Sequence, residues 1–198
     1  MWWLYEGVLC LGLLAALPKA LWRRRLPHRG WSMRLGRYPQ HLVQSLEGRS
    51  TLWVHAVSVG EVAASVPLCG TLRQAYPDHP LLLSTVTPTG FVVASKSAIN
   101  GSLPIYFPLD FRACVTRALD TLRPRLLVLI ESELWPTVVR LAAARGIPVV
   151  LVNGRISGRA FRRYRLVNPW LKGLLGHITL YLMQSQADAD RVLHLEAV

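Results

Sequence analysis

Six short apolar runs alternate along the chain with stretches of helical periodicity. The runs lie near residues 51–57, 80–86, 103–107, 126–130, 147–152 and 178–183. They are apolar throughout, which predicts strands that are buried on both faces of a sheet. Strands that alternate with helices indicate βαβ units. The predicted fold is therefore α/β, a doubly wound parallel sheet with helices on both faces.

The segments between these runs carry helix signals. The apolar positions of the first predicted helix recur at intervals of three or four residues, at Val62, Val66, Cys69, Leu72 and Tyr76. Pro88 suits the first turn of the second helix. Residues 184–198 also have a helical pattern, whereas residues 26–50, rich in Pro, Gly, Arg and Ser, are predicted to form a basic linker.

Polar or turn-forming clusters follow the predicted strands. The main clusters are residues 58–61, 85–90, 131–136 and 153–157. The carboxyl ends of parallel strands meet at one edge of the sheet, and ligands of open α/β sheets bind at that edge. The sequence therefore predicts a single functional edge.

Glu61 follows Gly60 at the predicted start of the first helix. A carboxylate at this position can cap free backbone N–H groups and stabilise the first turn. It can also act as a general base if a substrate hydroxyl comes within hydrogen-bond reach. Position alone favours the capping role and leaves the catalytic role open.

Two further clusters at this edge have candidate ligand chemistry. Glu131 and Glu133 leave a buried strand, where carboxylates are costly unless they are paired, solvated or functional. They either face a ligand, where they would stabilise a cationic transition state or bind sugar hydroxyls, or lie in a solvated loop with an Arg partner. Thr85, Thr87, Thr89 and Gly90 offer hydroxyl and N–H groups to an anion at a helix N-terminus, without the Lys and Gly spacing of a P-loop.

The charge balance favours an anionic partner. The chain of 198 residues has a net charge of +12, and 20 of its 23 basic residues are arginine, which pairs well with phosphate and carboxylate. A dense basic segment runs from Arg155 through Arg163 to Arg165; it is either a solvated surface or a site for a phosphorylated lipid. No zinc-finger, basic-zipper or RNA-binding signature occurs, so nucleic acid is not an expected partner.

The remaining candidate groups point to structure rather than chemistry. The three cysteines are far apart and odd in number, which favours the reducing cytosol. The six histidines show no metal-ligand spacing, and we expect no metal site. His55, alone inside a predicted strand, is expected to be a hydrogen-bonded core residue.

The first 25 residues form a predicted membrane segment. Aromatic residues bracket an uncharged stretch from Gly7 to Leu17, and six arginines follow between residues 23 and 37, which suits anionic lipid. The stretch is shorter than the roughly 20 apolar residues of a bilayer span. A spanning helix and a shallow interfacial helix remain open, as does a hydrophobic helix packed on the domain. A cleaved signal peptide fits poorly because Glu6 precedes the apolar core and no basic residue does.

Together these motifs resemble a known family. The residues that carry the resemblance occur in matching order across most of the chain, at 55–61, 85–90, 106–110, 131–136 and 153–157, with Tyr164 beyond. They are similar to those of the 3-deoxy-D-manno-octulosonic acid (Kdo) transferases, membrane-associated glycosyltransferases of lipopolysaccharide assembly. The sequence departs from the family pattern at Thr137, usually Asn, and at Gly154, often Ala.

The resemblance implies that the chain is the N-terminal half of a GT-B glycosyltransferase. Its implied parts are a membrane anchor at residues 1–25, a basic linker at 26–50 and a Rossmann-like acceptor-binding domain at 51–198. It implies inverting, metal-independent and cofactor-free transfer of Kdo from CMP-Kdo to the lipid A precursor, lipid IVA, at the cytoplasmic face of the bacterial inner membrane. Glu61 matches the general base, and Glu131 matches the transition-state-stabilising carboxylate. The positions expected to bind acceptor are Ser58, Gly60, Thr87, Thr89, Gly90, Glu133, Arg155 and Arg163.

The expected donor-binding C-terminal half does not appear in the 198 residues, so the chain is interpreted as a truncated product, a fragment or half of a split enzyme. Without a donor-binding half, it is expected at most to bind acceptor. The alternative is a non-catalytic membrane-bound module that binds anionic lipid. A Rossmann-type enzyme using NAD or SAM is disfavoured because no GxGxxG follows the first strand.

Overall fold

The fold is built on a six-stranded, fully parallel sheet. We analysed a computed structural model that describes residues 5–12, 14–15, 30–96, 101–131 and 134–197. The strands are β1 (Thr51–His55), β2 (Leu81–Thr85), β3 (Leu103–Tyr106), β4 (Pro124–Ile130), β5 (Val149–Gly154) and β6 (Leu180–Met183). Their order is β3-β2-β1-β4-β5-β6. This is the strand order of a Rossmann-like sheet, in which the order of successive strands reverses between β1 and β4.

Helices connect the strands. They are α1 (residues 5–12), α2 (Trp31–Arg34), α3 (Gln40–Ser45), α4 (Val59–Ala75), α5 (Pro88–Lys96), α6 (Arg112–Leu122), α7 (Pro136–Ala143), α8 (Gly158–Leu166), α9 (Asn168–Leu175) and α10 (Gln186–Ala197). The predicted alternation of strands and helices is confirmed. The predicted linker contains α2 and α3, and Leu42 and Leu46 of this segment are buried in the core.

The two faces of the sheet carry separate apolar cores. On one face, α4 and α5 cover β1 and β2 through Val62, Cys69 and Ala94. On the other face, α6, α7, α9 and α10 pack over the sheet. This division follows from right-handed crossovers: strands added on opposite sides of β1 place their connecting helices on opposite faces. Tyr76, predicted to lie on the apolar face of the first helix, is instead an exposed residue at its C-cap.

The strand β6 departs from the predicted burial. Every residue of β1 and β2 is buried, but in β6 Leu180 and Leu182 are each 48% exposed. They pair in register with Val150 and Val152 of β5, which are half-buried on the same face. Within the described residues, the fully buried core on this face ends at β4, with Val152 of β5 packed at its margin, so the aliphatic strip of β5 and β6 is only partly covered.

The predicted membrane segment is only partly described. Residues 5–12 are helical, and this helix contacts the domain, since the Tyr5 hydroxyl donates to Asp110 at 2.8 Å and the Glu6 carboxylate accepts from the Arg112 N–H at 2.8 Å. Val8 and Leu11 are exposed. No helix in the described ranges has the length and hydropathy of a membrane span. Of the flanking aromatic residues, Trp2, Trp3 and Trp22 lie outside the described residues, as do the arginines from 23 to 29.

Candidate functional site

The loop after β1 holds Glu61 rigidly. Ser58 is the N-cap of α4, and its hydroxyl donates to Glu61 Oε1 at 2.8 Å. The Val57 N–H donates to Glu61 Oε2 at 2.7 Å. The Glu61 N–H approaches Ser58 Oγ at 3.5 Å, so side chain and backbone bind reciprocally, as in a capping box. Glu61 is therefore fixed at the point where the sheet order reverses.

This arrangement supports both roles considered for Glu61. Each carboxylate oxygen accepts one hydrogen bond from the protein, which leaves acceptor capacity on both oxygens. The side chain is only 7% exposed, so most water is excluded from it. A carboxylate held in one orientation loses little entropy when it engages a substrate hydroxyl. Capping and general-base chemistry are thus compatible in one residue.

The threonine cluster after β2 braces the Glu61 loop. Thr85 and Thr87 both donate their hydroxyls to the Val57 carbonyl, at 2.9 Å and 3.4 Å. Thr87 also caps α5 by accepting from the Gly90 N–H at 3.0 Å. Thr89 is exposed, and its hydroxyl approaches Thr87 Oγ1 at 3.4 Å. The predicted acceptor role of Thr87, Thr89 and Gly90 stays a prediction, and the structure adds a bracing role for this cluster.

Two glycines of the predicted site differ in their steric surroundings. A Cβ on Gly90 would lie 2.4 Å from Thr85 Oγ1 and 2.8 Å from Thr87 Oγ1, so this position requires glycine. A Cβ on Gly60 would meet only Ser58 Oγ, at 4.0 Å. Gly60 is thus not required by packing within the described chain, which leaves room beside Glu61 for a ligand.

Replacing Gly90 with alanine is expected to lower the free energy of unfolding by about 1–3 kcal/mol, because the new methyl group displaces both hydroxyls that hold the Val57 carbonyl. Denaturant unfolding of the isolated chain measures this change. Gly60→Ala is the matched control and should alter stability much less. Equal losses in the two variants would contradict the bracing role of Thr85 and Thr87.

Glu131 ends β4 in an unusual backbone conformation. Its φ is +62°, in the left-handed region that non-glycine residues rarely adopt. Its N–H donates to the Val152 carbonyl at 2.8 Å, which ties the turn to β5. Since β4 pairs with β1, with Leu129 opposite His55, the ends of the strands that carry Glu131 and Glu61 are adjacent. Strain of this kind concentrates at functional sites. Glu133 lies outside the described residues.

The two predicted acceptor-binding arginines are exposed. Arg155 follows β5 at the same sheet edge, and Arg163 lies on α8, whose described residues are all exposed or half-buried. Their roles stay predictions.

The interpretation of His55 as a core residue is confirmed. His55 is fully buried, and its ring stacks on that of Phe107 with the ring centroids 3.6 Å apart. Its Nδ1 lies 2.9 Å from Ser84 Oγ. Burial lowers the pKa of His55 to about 3, so the ring is neutral.

Asp110 is a buried group at this edge that sequence reasoning did not select. Its two carboxylate oxygens accept from the backbone N–H groups of Thr137 and Val138, each at 2.9 Å. It thereby caps α7 from a different loop, while the Tyr5 hydroxyl binds the same carboxylate. The sequence feature that could have identified Asp110 is its position after the third apolar run, since the other candidate residues of this edge also follow apolar runs.

The buried Asp110 carboxyl should make folding stability depend on pH. Burial raises the pKa of Asp110 to about 6 from an ordinary value of 3.8, although hydrogen bonds from Thr137, Tyr5 and Val138 act in the opposite direction. The folded chain therefore holds this proton more tightly than the unfolded chain. The associated stabilisation is complete below about pH 4 and is lost as the pH rises through 6.

We expect the wild-type chain to lose roughly 1–3 kcal/mol more unfolding free energy than Asp110→Asn between pH 4 and 7.5. Urea titrations across this range provide the measurement, and the difference between the two curves removes the contribution of all other groups. Parallel curves would show that Asp110 titrates normally in the folded chain.

Comparison with known proteins identifies a family to which the chain is similar in sequence. Residues 29–198 match the profile of a family described as 3-deoxy-D-manno-octulosonic-acid transferase (Kdo transferase). The chain is 30% identical over 184 residues to 3-deoxy-D-manno-octulosonic acid transferase of Haemophilus influenzae, covering 93% of this chain and 41% of the relative. It is 32% identical over 200 residues to the Bordetella pertussis protein of the same name, covering 94% and 46% respectively.

Two further matches bear on architecture. A bifunctional glycosyltransferase/methyltransferase of Fusobacterium nucleatum is 34% identical over 155 residues, covering 77% of this chain and 24% of that protein. A crystal structure from Listeria monocytogenes, assigned as a UDP-N-acetylglucosamine 2-epimerase, superposes with a TM-score of 0.50 at 8% identity, over 74% of this chain and 42% of that chain. This last likeness concerns the fold alone. The chain spans less than half the length of the relatives from Haemophilus and Bordetella.

Proposed function

The chain belongs to the Kdo transferase family, and from this premise we propose that it is the acceptor-binding half of an enzyme that transfers Kdo from CMP-Kdo to the lipid A precursor, lipid IVA. The observation that carries the proposal is the placement of Glu61. Its carboxylate is 7% exposed, fixed by Val57 and Ser58, and located after β1, where the strand order reverses between β1 and β4. Ligands of open α/β sheets bind at such a reversal of strand order.

In the proposed reaction, Glu61 takes the proton of an acceptor hydroxyl while that oxygen bonds to the anomeric carbon of Kdo. The bond from that carbon to the CMP phosphate breaks with inversion, and CMP leaves with the bonding electrons. Glu131, at the adjacent strand end, stabilises the positive charge that develops on the sugar ring. Its backbone is left-handed, with a φ of +62°, directly after β4.

The remaining half of the family's length is proposed to bind CMP-Kdo. The aliphatic strip of β5 and β6 supports a further packing partner, because parallel sheets normally have both faces covered. The proposed location is the cytoplasmic face of the inner membrane. There α1 would lie against the bilayer, since Val8 and Leu11 are 66% and 68% exposed.

A transfer assay tests this proposal. The chain would be incubated with CMP-Kdo and lipid IVA, together with a C-terminal half taken from the Haemophilus influenzae relative. Transfer that requires both polypeptides is the expected outcome. Absence of transfer from the combined halves would contradict the proposed activity.

The second candidate is a non-catalytic module that binds anionic lipid. It is favoured by the exposed apolar residues of α1 and by the exposed arginines of α8, at positions 159, 162, 163 and 165. Vesicle sedimentation separates the candidates. A module of this kind should bind phosphatidylglycerol vesicles with a strong salt dependence while supporting no transfer with the added half.

A further inference from the structure

Arg34 is a buried cation, although the sequence predicted that it belongs to a basic run suited to anionic lipid. It is 8% exposed, at the end of α2, and its guanidinium lies over the Tyr106 ring at 4.9 Å from the centroid. One terminal nitrogen donates to the Val86 carbonyl. Burial lowers the pKa of Arg34, while Tyr106 acts in the opposite direction. A guanidinium nevertheless stays protonated at neutral pH.

The charge of Arg34 lacks an ionic partner in the described part of the chain. The ion pairs found there join Arg145 to Asp120 and Arg191 to Asp188. Asp110 lines the same cavity as Arg34, but no ion pair joins the two among the described residues. Burying an unpaired cation is costly, and contact with an aromatic face offsets only part of that cost. The Nε–H of Arg34 also has no hydrogen-bond acceptor among the described residues.

Trp135 lines the same cavity as Arg34. The Trp135 indole Nε1–H is buried and without an acceptor among the described residues. The cavity has a volume of about 110 Å³, and apart from Arg34 and Asp110 its walls are mainly apolar, formed by Leu9, Val86, Phe107, Pro108, Leu109, Phe111 and Trp135. It lies beside residues that follow β2, β3 and β4, and therefore at the carboxyl edge of the sheet.

We propose that this cavity binds one oxyanion, a phosphate monoester or a carboxylate, carried on a short apolar stem. Arg34 supplies the charge and an N–H donor, and Trp135 supplies a second donor. The apolar walls exclude water, which strengthens both hydrogen bonds and accommodates the stem. A cavity of this volume has room for a small anion or for several water molecules. Anion binding in this cavity is independent of the proposed transfer reaction, because it requires neither Glu61 nor a donor-binding half.

The test follows the Trp135 indole N–H signal in proton–nitrogen NMR spectra of the full chain during titration. The probes are butyl phosphate, butyrate, inorganic phosphate and butan-1-ol, and Trp135→Phe identifies the signal. We expect saturable shifts with butyl phosphate or butyrate and weaker binding of inorganic phosphate. Which of the first two binds more tightly distinguishes a phosphate-bearing ligand from a carboxylate-bearing one. An equal response to butan-1-ol would overturn the proposal, since it would indicate an apolar cavity without anion selectivity.

Variants test the assigned donors. Arg34→Met should weaken binding of the anionic probe at least tenfold, because it removes a charged hydrogen bond. Trp135→Phe removes a neutral hydrogen bond and should weaken binding roughly fivefold, as measured by calorimetry. Arg37→Met, an exposed arginine in the same segment, is the matched control and should leave affinity unchanged. Arg34→Lys retains the charge without the Nε–H and covers the case in which Arg34→Met does not fold. Undiminished binding in a folded Arg34 variant, or no saturable binding by the wild type, would refute the site.

Discussion

Replacing Glu61 with glutamine is expected to lower the rate of Kdo transfer by roughly a hundred- to ten-thousand-fold, in the assay that supplies the Haemophilus influenzae half. Glutamine can keep both contacts of the carboxylate: its carbonyl oxygen can accept from the Val57 N–H, and its amide can donate to Ser58 Oγ. The loop should therefore keep its shape. The basicity needed to remove a proton from the acceptor hydroxyl is lost.

Stability measurements separate this effect from misfolding. Glu61→Gln should unfold within about 1 kcal/mol of the wild type, whereas Glu61→Ala, which removes the cap, should be destabilised by about 1–2 kcal/mol. Asp120→Asn provides a carboxylate-to-amide control, because Asp120 lies in a surface ion pair with Arg145. Near-normal transfer by folded Glu61→Gln would reject the general-base assignment.

Glu131→Gly is expected to stabilise the chain while lowering its activity. Glycine adopts a φ of +62° without the steric cost that a side chain bears, which is worth about 1 kcal/mol. A gain of this size raises the melting temperature of a chain of this length by roughly 2–4 °C. The same substitution removes the carboxylate proposed to stabilise the transition state, so transfer should fall by roughly a hundredfold or more.

Arg123→Gly is the matched control for Glu131→Gly. Arg123 also has a left-handed backbone, with a φ of +45°, but it is an exposed C-cap of α6 at the opposite edge of the sheet. It should show the stabilisation without the loss of transfer. If Glu131→Gly retained full activity, the left-handed turn would be only structural. If it lost stability instead, the Glu131 side chain would have to make stabilising contacts that outweigh its backbone strain.

The positions where the strands end were predictable from the sequence, because apolar runs and turn residues reflect local conformational preferences. The runs that became β1 and β2 are apolar at nearly every position, and parallel strands buried on both faces require this. The clusters after them, including Ser58 and Glu61, then had to fall at one edge. The same reasoning was wrong for β6, because it predicted that Leu180 and Leu182 are buried. Their exposure depends on which helix covers which face, a property of the crossover handedness rather than of the strand itself.

The contacts that hold the candidate site were less predictable. Thr85 and Thr87 offered hydroxyl groups suited to an anion, but whether those groups bind a ligand or the Val57 carbonyl depends on the approach of β1 and β2. Arg34 could not be distinguished by composition from the arginines around it, because its burial results from packing under Tyr106. Asp110 caps α7 across more than 20 residues of sequence. Such a contact leaves no short-range pattern.

The measurement that tests the central claim most directly is Kdo transfer to lipid IVA by three preparations: the chain alone, the Haemophilus influenzae half alone, and the two combined. Our account predicts transfer only by the combination, and loss of that transfer when the chain carries Glu61→Gln. Transfer by the added half alone, or undiminished transfer with the Glu61 variant, would contradict the assignment of the acceptor site and the general base to this chain.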